Sequence, residues 1–196
     1  MKIKVRVEGK TPLLINKFSD EAAMQATEQT RVSTPKDRGT PQEQADSVRR
    51  ADENGKTIVP YEYFMGSMTI AGTYFKLGKN KVSTQKSSIL PACVSFDEVY
   101  YPLQHKQPWK VDTRPVRNPV TGGRILRHRP CFDDWAVDFE IDVDTTIMPV
   151  KLAREIIDFA GNRIGAGDYR PACRGPFGRY VVTHWEEEKI KLKTQY

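Results

Sequence analysis

Arginine and glycine, concentrated in two stretches, are the residue types of this sequence best suited to chemistry with a charged partner. In the segment running from Gly161 to Tyr180, five of the chain's thirteen glycines are interleaved with four arginines. Glycine takes positive φ and lets another backbone come close, while a guanidinium fork matches planar anions such as phosphate. Arg163, Arg170, Arg174 and Arg179, together with the amides of Gly165, Gly167, Gly175 and Gly178, therefore read as a cradle for phosphate groups. The second stretch, Gln104 to Pro130, sets Lys106, Lys110, Arg114, Arg117, Arg124, Arg127 and Arg129 against one acid, Asp112, and so carries the whole net charge of +6. A localised arginine-rich stripe is the footprint of phosphate-backbone contacts. The plainer readings are a glycine-capped helix with an irregular turn and a solvated charged face.

Catalytic chemistry finds less support. The histidines are His105, His128 and His184, and His128, inside Leu-Arg-His-Arg, sits among cations as a phosphate contact would. Asp138, Glu140 and Asp142 could be taken for a metal cluster of a nuclease, yet their strict alternation is what a half-exposed strand requires. Cys93, Cys131 and Cys173 are odd in number and lack C-x-x-C spacing, which argues against a disulfide framework and a zinc site. No phosphate-binding Walker loop, H-E-x-x-H or nucleophile elbow occurs. The sequence thus predicts no catalytic residue, no metal and no cofactor.

Elements that could position the arginines follow from periodicity. Lys2 to Glu8 alternates, with Ile3, Val5 and Val7 on one face and Lys2, Lys4 and Arg6 on the other. Residues 19–57 form a polar insertion without aromatic residues, in which Asp20 to Gln29 and Pro41 to Ala51 have helical character. A core helix is predicted over Tyr61 to Phe75, and a strand over Val94 to Tyr101. Asn118-Pro-Val-Thr-Gly-Gly123 supplies turn chemistry between arms Trp109 to Arg117 and Arg124 to Pro130, making 104–130 a projecting basic hairpin. Trp135 to Asp144 alternates again, with acids outward. Pro149 opens a helix with an apolar stripe of Val150, Ala153, Ile156, Ile157 and Ala160, which Gly161 ends. Gly178 to Glu187 is the last strand, and 188–196 a charged tail.

That order is βαββαβ, an α+β, ferredoxin-like antiparallel sheet with a long insertion after its first strand and the basic hairpin between its second and third. Its first and third strands are neighbours, so Lys2, Lys4 and Arg6 should face Asp142, Glu140 and Asp138, each pair contributing about 0.2–1 kcal/mol. A chain of 196 residues, 38% apolar with mean hydropathy −0.59, fits one domain with an insertion. It has no apolar run long enough for a membrane span and opens without a secretory signal, so a cytoplasmic, non-membrane protein is expected.

Gly55-Lys-Thr-Ile-Val-Pro60 before a helix with Gly66-Ser-Met, the hairpin between strands two and three, and Ile164-Gly-Ala-Gly leading to Gly175-Pro-Phe-Gly-Arg-Tyr180 resemble three features of the RAMP superfamily. These are the ferredoxin-like proteins that form the crRNA-binding backbone of CRISPR effector complexes. The features are, in turn, the I-P-x-S-x-x-G turn, the projecting thumb and the glycine-rich loop. The segment Ile164 to Tyr180 is also similar to small uncharacterised phage and prophage proteins. The chain departs from the family in Val59-Pro-Tyr-Glu-Tyr for I-P-x-S, in Asp168 to Arg174 interrupting the glycine loop, and in Leu14-Ile-Asn16 for L-H-x-G. Some members of the superfamily cleave RNA with a histidine, or with an aspartate in the loop after the first strand. Asp20 occupies that loop but reads equally as a helix cap.

The function expected is therefore non-enzymatic binding of single-stranded RNA, with single-stranded DNA as the alternative, by a protein that assembles with copies of itself into an oligomer or filament. Arg114, Arg117, Arg124, Arg127 and Arg129 of the hairpin would clamp the strand, and Tyr169, Phe177 and Trp109 could stack on bases. The rival readings are a phage assembly factor or inhibitor that uses the hairpin against an acidic protein, and a metal-independent endoribonuclease relying on His128.

Overall fold

A computed structural model describes residues 1–17, 39–117 and 122–188. Its strands are β1 (Lys2–Gly9), β2 (Leu13–Leu14), β3 (Ile58–Pro60), β4 (Lys76–Leu77), β5 (Asn80–Lys81), β6 (Val94–Phe96), β7 (Tyr100–Pro102), β8 (Gln104–His105), β9 (Lys110–Arg117), β10 (Arg124–Phe132), β11 (Trp135–Val143) and β12 (Tyr180–Glu188). The helices are α1 (Pro41–Ser47), α2 (Glu62–Ala71), α3 (Leu90–Cys93) and α4 (Val150–Phe159). Together they make an α+β structure with antiparallel sheets. No helix among the described residues is long and apolar enough to cross a membrane.

The main sheet runs β12-β1-β11-β6, with β8 also paired to β11. Because β1 alternates, Ile3, Val5 and Val7 sink to 0–2% exposure on one face while its cations face away. Lys2 lies opposite Asp142, Lys4 opposite Glu140 and Arg6 opposite Asp138, the pairing the charge pattern requires. Arg6 reaches Asp138 at 2.8 Å, and on the other side of β1 Lys4 reaches Glu188 of β12, 2.8 Å away. The Glu188 hydrogen bond holds the Lys4 ammonium above its usual pKa, and the same bond holds Glu188 below its own.

On the inner face, α2 and α4 cover the sheet. Phe64 stacks on Phe139 at 4.9 Å between ring centres and meets Tyr180 edge-on at 5.7 Å. The Tyr180 hydroxyl, wholly buried, pairs with Ser67 Oγ at 3.0 Å, so this large aromatic leaves no polar atom stranded. Trp135 lies across the end of β1 and donates from Nε1 to the Thr11 carbonyl at 2.9 Å. A Cβ at Gly9 would stand 2.1 Å from that same nitrogen, so only glycine lets the indole lie there.

Several predicted boundaries shift. The strand predicted over Val94 to Tyr101 breaks into β6, paired with β11, and β7, paired with β3. Asp97 marks the break, accepting from the Tyr101 hydroxyl at 2.6 Å. Pro41 to Ala51 is helical only as far as Ser47, behind a capping box of Thr40 and Glu43. Gly161 does not end α4: the chain continues through a π turn, Ala160–Ile164, and stops at Gly165 with φ 79°. The Asp20 to Gln29 helix, the cap at Asp20, the hairpin tip at residues 118–121 and the tail beyond Glu188 lie outside the described residues.

Phe64 fills the centre of this inner layer at 1% exposure. Phe64→Ala should destabilise the protein by about 3–5 kcal/mol, read as a lower urea midpoint with an unchanged slope.

Candidate nucleic-acid interface

The strip from Lys10 to Ile15 brings the two arginine-bearing elements together. On one side β2 pairs with β10, Leu14 opposite Cys131 and Leu13 opposite Phe132, and the Ile15 amide donates to the Pro130 carbonyl at 3.2 Å. On the other side the glycine loop closes against the same strip. Asp168 N donates to Leu14 O at 2.8 Å, Gly178 N to Pro12 O at 2.8 Å and Lys10 N to Arg179 O at 2.7 Å. The hairpin base and the loop are thus neighbours.

Two side-chain contacts cross the junction. Arg129, only 8% exposed, places Nε 2.7 Å from Asp168 Oδ2. Neither of these two buried atoms has a hydrogen-bond partner, so charge attraction rather than an aligned bond joins them. Arg114 is held by Asp112 through Nε at 2.9 and 3.0 Å. Its guanidinium lies 4.8 Å from the centre of the Phe177 ring and 5.9 Å from that of Tyr169, within cation–π range.

Register divides the hairpin arginines. Arg114 faces Arg127, and Arg129 faces Asp112, on the side of the ribbon that meets the loop. Arg117 faces Arg124 on the opposite side, which they share with Leu126, 58% exposed, and His128. The five are therefore not one clamp: Arg129 is an internal pin, Arg114 is half-buried at the junction, and Arg117, Arg124 and Arg127 are exposed. Like charges directly across a ribbon are destabilising by roughly 0.2–1 kcal/mol per pair, and here two such pairs follow each other. Among the described residues from Gly122 to Arg127 none is buried, so little offsets them there.

The glycine loop differs from expectation in one respect. Its amides do not stand open to a phosphate. Gly165 N donates to Ala160 O at 2.8 Å, Gly175 N to Arg170 O at 3.0 Å, Ala166 N to Gly178 O at 2.8 Å and Arg179 N to Thr11 Oγ1 at 3.0 Å. Gly165, Gly167 and Gly178 are themselves buried. The physical reason is self-packing: a Cβ at Gly178 would fall 1.8 Å from Ala166 O, and one at Gly175 1.7 Å from Tyr169 O. These glycines shape the loop rather than touch a ligand. Side chains alone are presented outward. Arg163, Arg174 and Arg179 are exposed, whereas Arg170 is half-buried and donates from Nη1 to Gly167 O at 2.8 Å. Tyr169 and Arg174 hold φ of 46° and 63° without being glycine, a conformation kept only where the surroundings impose it.

Three side chains that could have taken part in covalent chemistry are buried or engaged, while the Cys173 thiol is exposed. Burial pushes the Cys131 thiol up to about 11, leaving it protonated and unreactive at neutral pH. His128 pairs its Nδ1 with Thr113 Oγ1 at 2.8 Å. Burial likewise pushes the Tyr63 phenol up to about 12, against a lowering by the Asn16 amide. The Leu13–Leu14 strip and Asp168 were not anticipated as site residues. Their signal in the sequence was an apolar Pro12-Leu-Leu-Ile15 run after Gly9 and a lone acid among the loop arginines.

No family model matches the chain, and no curated protein is significantly similar to it. Its fold is similar to that of a chain in the cryo-EM structure of the Type III-B Cmr-beta bound to cognate target RNA, with a TM-score of 0.57 and 12% sequence identity. The match covers 94% of this chain and 59% of that one, so this chain spans little more than half the length of its neighbour. At that identity the likeness is one of fold.

If Arg129 and Asp168 pin the junction, Asp168→Ala should cost about 2–4 kcal/mol by leaving a buried cation unpaired, and Arg129→Met with Asp168→Leu should recover most of it. Chemical denaturation of both singles and the double reads the coupling.

Proposed function

We propose that this protein binds single-stranded nucleic acid, RNA first, along the phosphate backbone, using the exposed arginines of its hairpin and of the neighbouring loop. The observation that carries the reading is the pair of directly opposed arginines, Arg117 with Arg124 and Arg114 with Arg127, on a ribbon with little of its own to bury. Such an arrangement costs stability in the free protein and is relieved by a polyanion. On the main sheet the cations meet acids, as Lys4 does with Glu188, whereas Arg117, Arg124 and Arg127 have none opposite them.

The order of the main sheet, last strand, first, third and second, supports a ferredoxin-like reading. The solved neighbour belongs to an assembly bound to target RNA, which favours RNA over DNA here and agrees with the RAMP resemblance of the thumb and glycine loop. The outer sheet face is occupied by charge pairs rather than aromatic rings, so the strand is held by loops and hairpin instead of stacking on the sheet. Tyr169, beside Arg114 and 37% exposed, is the stacking surface at the junction, while Phe177 is buried beneath it. Assembly with further copies along one strand belongs to the same proposal.

For about six neutralised phosphates, log K for a labelled single-stranded RNA should fall against log salt with a slope near −4. Alanine at Arg117, Arg124 and Arg127 should flatten that slope by about 2 and weaken oligo-U and oligo-A alike. A slope near zero in the unmodified protein, or an intact slope in the triple variant, rejects the reading.

A further inference from the structure

A second cleft lies where α4 ends. Five-residue π hydrogen bonding is rare and concentrates at functional sites. Here the Gly165 amide closes the turn on Ala160 O at 2.8 Å. The turn seats Gly161 against β12 so tightly that a Cβ would fall 2.4 Å from Tyr180 O. It carries Asn162 and Arg163 into an open cleft of about 640 Å³ that is also lined by Phe75, Phe159 and Arg179.

The cleft combines opposite chemistries at its two ends. Phe159 forms an aromatic wall with Phe75, which meets it edge-on at 5.5 Å, and Tyr74, 69% exposed, is tilted against Phe159 at 5.0 Å outside the lining. Arg163 and Arg179 are exposed, and their guanidinium groups have no ion-pair or hydrogen-bond partner among the described residues. Lys10 adds a third cation, donating to Asn162 Oδ1 at 2.9 Å. The cations Arg163, Arg179 and Lys10 outnumber the two carboxylates of the cleft, Asp158, engaged by Arg154 at 2.8 Å, and Glu155, 4.0 Å from Lys151. Both carboxylates remain hydrogen-bond acceptors able to receive an amino group.

We propose that this cleft binds a nucleoside monophosphate unit, its base against Phe159 and its phosphate between Arg163 and Arg179. A ring accepts the π face of any base, two unpaired guanidinium groups match a phosphate dianion, and the carboxylates receive the amino group of an adenine or cytosine. Neither half alone accounts for the set: phosphate has no use for the two aromatic rings of the lining, and an uncharged ring has none for two arginines. The site does not depend on the hairpin. A free nucleotide occupies it whether or not the hairpin holds a strand.

Titration calorimetry of the full chain with AMP, ribose 5-phosphate and inorganic phosphate tests this. AMP should bind about tenfold more tightly than ribose 5-phosphate, the difference being the stacked base. Arg163→Gln with Arg179→Gln, both at exposed positions, should weaken AMP at least about tenfold while the thermal midpoint stays within a few degrees. Phe159→Leu should bring AMP and ribose 5-phosphate together. Equal affinities for those two ligands in the unmodified protein, or AMP binding unchanged in the double arginine variant, overturns the proposal. Affinity for an oligo-A strand in that double variant then identifies the source. A loss assigns the nucleotide to a bound strand and no loss to a free mononucleotide, and both outcomes support the site provided AMP binds as stated. RNA binding with the expected salt slope but no AMP preference sinks this proposal and leaves the hairpin reading standing; the reverse result does the opposite.

Discussion

Backbone pairing along Lys10 to Ile15 is the constraint on which the rest depends. A buried amide or carbonyl left without a partner costs on the order of 1–3 kcal/mol, so a strip buried from Leu13 to Ile15 needs both edges filled. β10 fills one and the glycine loop, through Asp168 and Gly178, fills the other. Two segments far apart in sequence are thereby held side by side. Trp135 adds to this by tying the Thr11 carbonyl to the end of the main sheet, which sets where the strip emerges from β1. The Arg129 and Asp168 pair then spans the junction that backbone geometry has already closed.

Charge is handled in two contrasting ways in one molecule. On the outer face of the main sheet each cation of β1 finds an acid on β11 or β12. Exposed pairs of this kind contribute little singly, and the stability comes from the apolar inner face against α2 and α4. On the hairpin Arg114 and Arg129 are engaged by Asp112 and Asp168, but Arg117, Arg124 and Arg127 have no acid opposite them and face other arginines. A sequence under pressure only for stability would have placed acids across from Arg117 and Arg127, as it did across from Lys4 and Arg6. The difference in arrangement, not the number of arginines, sets the hairpin apart from the main sheet.

Much of this could be read in the sequence where local period and burial coincide. The alternation of Lys2 to Glu8 and of Trp135 to Asp144 gave both the strands and their partnership, because opposite signs at matching positions have one comfortable register. The apolar stripe of α4 and the two paired arms of the hairpin were equally plain. What escaped was set by parity and by distant contacts. Whether Arg117 shares a face with Arg114 or opposes it follows from strand alternation, yet which face meets the loop depends on β2, a two-residue strand with no period of its own. The π turn was hidden for a similar reason: Gly161 ordinarily ends a helix, and only the close fit against Tyr180 explains why it does not here. The split of the second strand at Asp97 rests on a hydrogen bond to Tyr101 that hydrophobic pattern does not reveal.

The inward-turned amides of the glycine loop alter what kind of binding surface it can be. A loop with open amides would order itself around a phosphate, and that ordering would be charged against affinity. This loop instead completes its hydrogen bonds without a ligand, packs backbone on backbone at Gly175 and Gly178, and holds Tyr169 and Arg174 at positive φ on either side of a single 3₁₀ turn, Pro171–Cys173. Such strain is tolerated only in a framework that is already rigid. The consequence is that Arg174, Arg179 and the Tyr169 ring are displayed from a preformed scaffold, with the buried Phe177 ring packed beneath it against Leu14 and Cys131. Glycine here supplies stiffness, through close approach, where its usual association is with freedom.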